Sequence, residues 1–120
     1  MTVLLIGLLS CQNQKPAENG SFTTASYNLR YANAEDSAAG NGWGKRYPVM
    51  AKLIQYHSFD IFGTQEGYIR QLEDMKAALP GYEYIGVGRN DGKEAGEHSA
   101  IFYRTDKFDL IKKARTLSLT

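Results

Sequence analysis

Between residues 21 and 88 the sequence alternates between segments with the period of a strand and segments with the period of a helix. The strand-like segments are 21–30, 59–65 and 82–88. An amphipathic stretch that begins at Lys45 separates the first two, and an apolar helical stripe that Pro80 ends separates the last two. This β-α-β-α-β order predicts a sheet covered by helices, in an α/β or α+β layered domain.

Local patterns set the predicted bounds of these elements. The residues predicted to share the buried face of the first strand are Thr23, Ala25, Tyr27 and Leu29. Turn-forming residues at 33–44 predict a loop, and Pro48 is predicted to lie in the first turn of the helix that follows. Beyond the third strand, 99–103 and 108–111 are predicted to pair as a hairpin.

The amino-terminal segment differs in character from the rest of the chain. Residues 1–10 carry no charge and form an apolar run too short to span a membrane, so they are predicted to be a signal peptide. The Leu-Leu-Ser-Cys sequence that ends at Cys11 resembles the lipobox of bacterial lipoproteins, in which this cysteine is lipidated. Polar residues 11–21 are then a tether, and the chain is predicted to be exported and anchored to a membrane. The alternative is a buried strand with an inert thiol at Cys11.

The composition of the 120 residues restricts the class of protein. It is 42% hydrophobic, which is enough apolar surface for a folded core and excludes a disordered tail. Its 14 Lys and Arg residues against 13 Asp and Glu residues leave a net charge of +1. A near-neutral chain is poorly suited to tight binding of duplex DNA, which requires clustered basic residues.

The predicted topology brings two polar residues together. If the first two strands are parallel neighbours, Asn28 at the end of one lies beside Gln65 and Glu66 at the end of the other. An amide oxygen and a carboxylate form an oxygen-rich site with few protein ligands, which suits Mg²⁺ or Mn²⁺ better than zinc. The alternative is that Asn28 and Glu66 cap a loop or a helix.

Four segments in order carry a resemblance to a known family. They are 25–30 (Ala-Ser-Tyr-Asn-Leu-Arg), 60–66 (Asp-Ile-Phe-Gly-Thr-Gln-Glu), 86–92 (Gly-Val-Gly-Arg-Asn-Asp-Gly) and 96–104 (Gly-Glu-His-Ser-Ala-Ile-Phe-Tyr-Arg). Together they resemble the endonuclease/exonuclease/phosphatase superfamily, with its deoxyribonuclease-I-like fold, and its secreted or lipid-anchored bacterial members in particular. The resemblance implies that residues 22–120 are the N-terminal half of a four-layer α/β sandwich.

The resemblance also implies roles for individual residues. The family binds its divalent ion through residues that match Asn28 and Glu66. The glutamate that matches Glu97 orients a catalytic histidine, so Glu97 is the candidate catalytic residue of this chain. Arg89 is the candidate for a contact with a substrate phosphate, although its position is more typical of a solvated loop. The alternative for Glu97 is a surface residue of a strand. The implied reaction is hydrolysis of a phosphate ester by metal-activated water.

Several motifs of the family are not found in these 120 residues. They are a Thr-His pair, an Asp-x-Asn and a C-terminal Ser-Asp-His, and neither His57 nor His98 matches the catalytic positions. We therefore expect little turnover from the 120-residue chain. Two classes of function remain open: a metal-dependent phosphoesterase acting on nucleic acid, a phospholipid headgroup or a small ester, and a non-catalytic surface lipoprotein or binding fragment. No protein partner is implied.

Overall fold

The structure of the chain is a computed structural model that describes residues 20–111. Its elements in chain order are β1 (Thr24–Asn28), α1 (Ala34–Ala38), α2 (Trp43–His57), β2 (Ile61–Gly67), α3 (Ile69–Ala78), β3 (Tyr82–Ile85) and β4 (His98–Arg104). The predicted signal peptide, the lipidation site at Cys11 and nearly all of the tether lie outside the described residues. No helix within 20–111 has the length and apolarity needed to cross a bilayer.

The strands form one mixed sheet in the order β1-β2-β4-β3. β1 and β2 are parallel, as the β-α-β pattern predicted, and β4 is antiparallel to both β2 and β3. The predicted α/β class is confirmed. Because the parallel strands β1 and β2 end at the same edge of the sheet, the residues that follow them are brought close together.

Helices α2 and α3 pack against one face of this sheet. The buried apolar residues form a single cluster: Leu29, Ala51, Ile54, Phe62, Leu72, Met75, Leu79, Ala100 and Phe102. At its centre the rings of Phe62 and Phe102 stack with centroids 4.9 Å apart. The predicted face of the first strand is confirmed for Ala25, Tyr27 and Leu29, which are at least partly buried. The opposite face of the sheet exposes residues such as Ile101.

The region before the first long helix differs from its prediction. A five-residue helix, α1, lies within the predicted loop at 33–44, and the Asn33 side chain caps it by accepting a hydrogen bond from the Asp36 amide. Helix α2 begins at Trp43, two residues before Lys45. Pro48 therefore lies in the second turn instead of the first, where its missing N–H leaves a helical carbonyl without its usual partner.

The predicted hairpin beyond β3 is wrong. Only its first half is a strand, β4, and residues 108–111 are not in a strand. The physical reason is the position of β4 in the sheet. Because β2 and β3 occupy its two edges, β4 has no backbone groups left to pair with a strand that follows it.

Candidate metal centre

Asn28 and Glu66 lie side by side at the edge of the sheet where β1 and β2 end. Asn28 is in register with Gln65, and its side-chain Nδ2 donates a hydrogen bond of 2.8 Å to Oε1 of Glu66. The sequence predicted this proximity from the parallel pairing of the two strands. The structure thus brings together the two residues proposed as metal ligands.

A bulge in β2 directs the Glu66 side chain to this position. Strand alternation alone would put Glu66 on the same face as Thr64, which is buried in the core. Pairing with β4 is irregular between Thr64 and Gly67, and Glu66 has a left-handed backbone with a φ of 61°. The bulge therefore carries the carboxylate away from the core and towards Asn28.

Gly67, the last residue of β2, packs closely against the side chains of Leu29 and Leu72. A Cβ atom at Gly67 would lie 3.0 Å from Cδ1 of Leu29 and 3.2 Å from Cδ2 of Leu72. A side chain here would therefore require the Leu29 and Leu72 side chains to shift. Close packing at Gly67 is thus part of what brings Glu66 to the end of β1.

The chemistry of these donors fits a hard divalent cation. The Glu66 carboxylate is half-buried, and no cationic side chain among residues 20–111 forms an ion pair with it. No three His, Cys, Asp or Glu side chains in the same range converge to hold a metal ion. One carboxylate and one amide suit Mg²⁺, which retains several of its water ligands, and do not suit a zinc site.

The residues that follow Asn28 are fixed by polar contacts. Arg30 has a φ of 52°, and its backbone amide donates a 2.7 Å hydrogen bond to Oδ1 of Asn28. Its guanidinium forms two hydrogen bonds with Asp36, of 2.6 and 2.8 Å. The bonds from Arg30, together with one from Asn33, lower the pKa of Asp36 to about 2. The Arg30 side chain is therefore paired with Asp36.

Glu97 and Arg89 lie together at the same end of the sheet. Gly67 of β2 pairs with His98 of β4. Glu66 directly precedes Gly67 and Glu97 directly precedes His98, so both glutamates adjoin this pair. Arg89 Nη1 lies 3.0 Å from Oε2 of Glu97, and the Arg89 backbone amide donates to the Glu97 carbonyl. The Arg89 side chain is 69% exposed, so its guanidinium is open to an anion as well as to Glu97.

The loop that carries Arg89 is tightly built. A Cβ at Gly88 would come within 2.2 Å of the Ala95 carbonyl oxygen, so this position requires glycine. The Asp91 side chain accepts hydrogen bonds from the amides of Lys93 and Ala95. These bonds lower the pKa of Asp91 and keep it ionised as a loop-stabilising acceptor. The loop is thus ordered by its own backbone, with Arg89 at its start.

Neither described histidine is placed to act as an exposed acid or base at Asn28 and Glu66. His57 ends α2, just before β2 begins, at the other end of the sheet from Glu66. His98 is 1% exposed, and its Nδ1 lies 3.0 Å from the Gly96 carbonyl oxygen. The expectation from the sequence that neither residue is the catalytic histidine stays a prediction.

Two polar residues next to the centre are more buried than the sequence predicted. The Arg46 side chain is only 10% exposed, although an arginine near a helix end is expected to be solvated. Gln71 is 2% exposed and is surrounded by the apolar stripe of α3. A signal for Gln71 did exist, because it is a polar residue between Tyr68 and Leu72 on the face predicted to be buried.

Comparison with solved structures relates this arrangement to known proteins. A mannosyl-6-phosphatase of Bacteroides thetaiotaomicron is 71% identical with a TM-score of 0.77, over 78% of this chain and 35% of that one. An endonuclease/exonuclease/phosphatase family protein of Bacteroides vulgatus is 43% identical with a TM-score of 0.72, over 76% of this chain and 34% of that one. The chain belongs to the endonuclease/exonuclease/phosphatase family.

Membership of the endonuclease/exonuclease/phosphatase family confirms the resemblance drawn from the four sequence segments. A second solved structure from Bacteroides thetaiotaomicron, described as a protein of this family, is also 71% identical. The chain spans about a third of the length of these relatives. No family model matches the chain, and no curated protein matches it.

Proposed function

We propose that this chain forms part of a metal-dependent phosphoesterase, with Asn28 and Glu66 as its protein ligands for Mg²⁺ or Mn²⁺. The observation that carries the proposal is the contact between the Asn28 amide and the Glu66 carboxylate at the end of two parallel strands. Membership of the endonuclease/exonuclease/phosphatase family supports the same reaction class.

In this proposal each residue contributes a distinct interaction. Glu66 supplies the negative charge that holds the cation, and Asn28 supplies a neutral oxygen whose orientation is fixed by the Arg30 amide. A divalent ion bound there would offset the charge that develops on the phosphoryl oxygens and would activate water. Arg89 binds a phosphate oxygen of the substrate, and Glu97 orients a catalytic base.

A phosphate ester on a sugar is the substrate class that we propose. The support is the relative at 71% identity, whose name is mannosyl-6-phosphatase. The net charge of +1 favours a small ester over duplex DNA, because a DNA-binding surface neutralises several phosphates. With a lipid on Cys11, the enzyme would act at a membrane surface outside the cytoplasm.

A chimeric enzyme tests the proposed function. In the Bacteroides thetaiotaomicron phosphatase, the region matched by this chain is replaced by the present residues, and Mg²⁺-dependent hydrolysis of mannose 6-phosphate is measured. Glu66→Gln is expected to lower the rate at least about a hundredfold, because the ion loses its charged ligand. Glu35→Gln, which removes the same charge from the exposed helix α1, is the matched control and should leave the rate unchanged.

Two results would contradict the proposal. Equal rates for the Glu66→Gln and Glu35→Gln chimeras would show that Glu66 does not hold the ion. A chimera that folds but fails to hydrolyse any phosphate ester with Glu66 intact would instead favour the non-catalytic surface lipoprotein. Mn²⁺ binding, followed by electron paramagnetic resonance, separates loss of the ion from loss of a later step.

A further inference from the structure

The four residues that follow β1, Leu29 to Ala32, are the segment that we name the β1 exit turn. Arg46 on α2 reaches this turn with two nitrogens. Its Nη1 donates 2.8 Å to the Leu29 carbonyl, and its Nη2 donates 3.0 Å to the Arg30 carbonyl. One guanidinium therefore binds two successive carbonyl oxygens, which a lysine ammonium could not match in geometry.

The surroundings of Arg46 show that it is held in place for this contact. Its Cζ lies 5.5 Å from the ring centroid of Trp43, and Asp36 is 4.0 Å from its Nη2. Its buried Nε has no hydrogen-bond partner within residues 20–111. Burial of a guanidinium whose hydrogen bonds are incomplete opposes folding. The two hydrogen bonds to carbonyls of the β1 exit turn offset part of this cost.

Gln71 on α3 binds the same turn from the other side. Its Nε2 donates 3.1 Å to the Arg30 carbonyl, and its Oε1 accepts from the amide of Ala32 at 3.0 Å. The same oxygen accepts from the amide of Tyr68 at 3.2 Å, at the start of α3. Because Tyr68 is two residues after Glu66, the Gln71 amide connects the segment after Asn28 to the segment after Glu66.

Arg30 is the residue on which these contacts converge. Its carbonyl accepts from both Arg46 and Gln71, while its amide donates to the Asn28 side chain. Its φ of 52° lies in a region that non-glycine residues adopt only when their surroundings impose it. Without the two donors to its carbonyl, Arg30 is expected to relax, and its amide would turn away from Asn28.

We propose that Arg46 and Gln71 are positioning residues of the metal centre, which hold Arg30 in its left-handed conformation so that its amide fixes the Asn28 side chain beside Glu66. The part of this inference that concerns metal affinity rests on the proposed function. The part that concerns the Arg30 amide is independent of any metal.

Two conservative substitutions test the role without removing bulk. Gln71→Glu keeps the oxygen that accepts hydrogen bonds from the Tyr68 and Ala32 amides, but it loses the N–H group that donates to the Arg30 carbonyl. Arg46→Lys keeps the charge but loses the paired contact. The matched controls make the same changes at exposed positions of the same helices, Gln55→Glu on α2 and Arg70→Lys on α3.

Hydrogen exchange and Mn²⁺ binding are measured on the 120-residue chain. In Gln71→Glu and Arg46→Lys, exchange of the Arg30 amide is expected to accelerate by at least about tenfold, while that of Phe102 in the central strand β4 stays unchanged. Mn²⁺ affinity is expected to fall by about 10- to 100-fold, as for other residues that act through a metal ligand. Both controls should match the wild type.

Three results would overturn the positioning role. One is an unchanged exchange rate for Arg30 in both variants. Another is equal acceleration at Arg30 and Phe102 in both variants, which would make Arg46 and Gln71 general contributors to stability. The third is accelerated exchange at Arg30 with unchanged Mn²⁺ affinity. If the wild-type chain binds no Mn²⁺, the proposed metal centre fails, and exchange at Arg30 alone then decides the role of the two side chains.

Discussion

At the scale of single residues, Glu66 combines a functional side chain with an unfavourable backbone. Its φ of 61° is in the left-handed region, which costs a non-glycine residue about 1–2 kcal/mol. Arg30 shares this property, and both residues adjoin the candidate metal centre. Ser58, the remaining non-glycine residue of positive φ within 20–111, only ends helix α2.

The cost at Glu66 can be measured by comparing two variants that both lack the carboxylate. Glu66→Gly is expected to be more stable than Glu66→Ala by about 1 kcal/mol, because glycine adopts a positive φ without a steric penalty. Urea unfolding gives both free energies. The control is Lys52 on the exposed side of α2, where Ala should be more stable than Gly by about 1 kcal/mol. The same order at both positions would show that Glu66 is not strained.

Asp60 carries a buried charge at the opposite end of β2. It accepts a 2.8 Å hydrogen bond from the Thr23 amide and lies 2.9 Å from Nζ of Lys107. These two contacts lower the pKa of the Asp60 carboxyl below its usual 3.8. A carboxyl with a lowered pKa in the folded state stabilises the protein above its unfolded pKa, and the benefit is lost as the pH falls through the folded value.

We therefore expect Asp60→Asn to destabilise the chain by about 1.5–3 kcal/mol at pH 7, the range for hydrogen bonds to charged groups. The difference from the wild type should shrink as the pH falls below about 4, where the unfolded carboxyl takes up a proton, and then through the lower pKa of the folded state. Urea unfolding between pH 2 and pH 7 measures it. Asp109→Asn, at an exposed position, should show no such trend, and a pH-independent difference for Asp60→Asn would exclude the charge as the cause.

At the scale of elements, the sequence predicted those whose signals are local. The apolar stripe of α3 and the alternation of buried and exposed residues in β1 were sufficient to predict these two elements, because each pattern indicates that one face is buried. The parallel pairing that brings Asn28 to Glu66 also followed from the order of elements. The position of β4 did not, because insertion between β2 and β3 depends on long-range pairing that no local pattern records.

Pro48 in the second turn of α2 gives a prediction at this scale. Pro48→Ala is expected to stabilise the chain by about 1–3 kcal/mol, because it restores a helical N–H and removes the steric conflict with the preceding turn. Thermal and urea unfolding measure the change. Pro80→Ala is the control, since that proline lies beyond α3, and its loss should be neutral or slightly destabilising. A destabilised Pro48→Ala variant would mean that the proline fits the helix without strain.

At the scale of the whole molecule, some residues of the candidate centre could be predicted from the sequence and others could not. Asn28 and Glu66 follow from strand order, but Arg46 and Gln71 make their contacts with backbone carbonyls and amides. Any residue type can offer a carbonyl, so these contacts leave no pattern in the sequence. The face of the sheet opposite the helices is open, and it includes the 45% exposed Ile101.

Two observations predict how the 120-residue chain behaves alone: the open face of the sheet and the greater length of the related proteins. It spans about a third of proteins in its family, and its described histidines are either buried or remote from Glu66. We expect Mn²⁺ binding without hydrolysis of bis(p-nitrophenyl) phosphate, because cation binding alone supplies neither a base nor a leaving-group acid. We also expect an unfolding transition at low temperature and binding of a hydrophobic dye at the exposed face. The matched chimera with the Bacteroides thetaiotaomicron phosphatase should gain turnover and unfold at a higher temperature. Mg²⁺-dependent turnover by the 120-residue chain, with an unfolding temperature equal to that of the chimera, would show that this part of the fold is sufficient for catalysis.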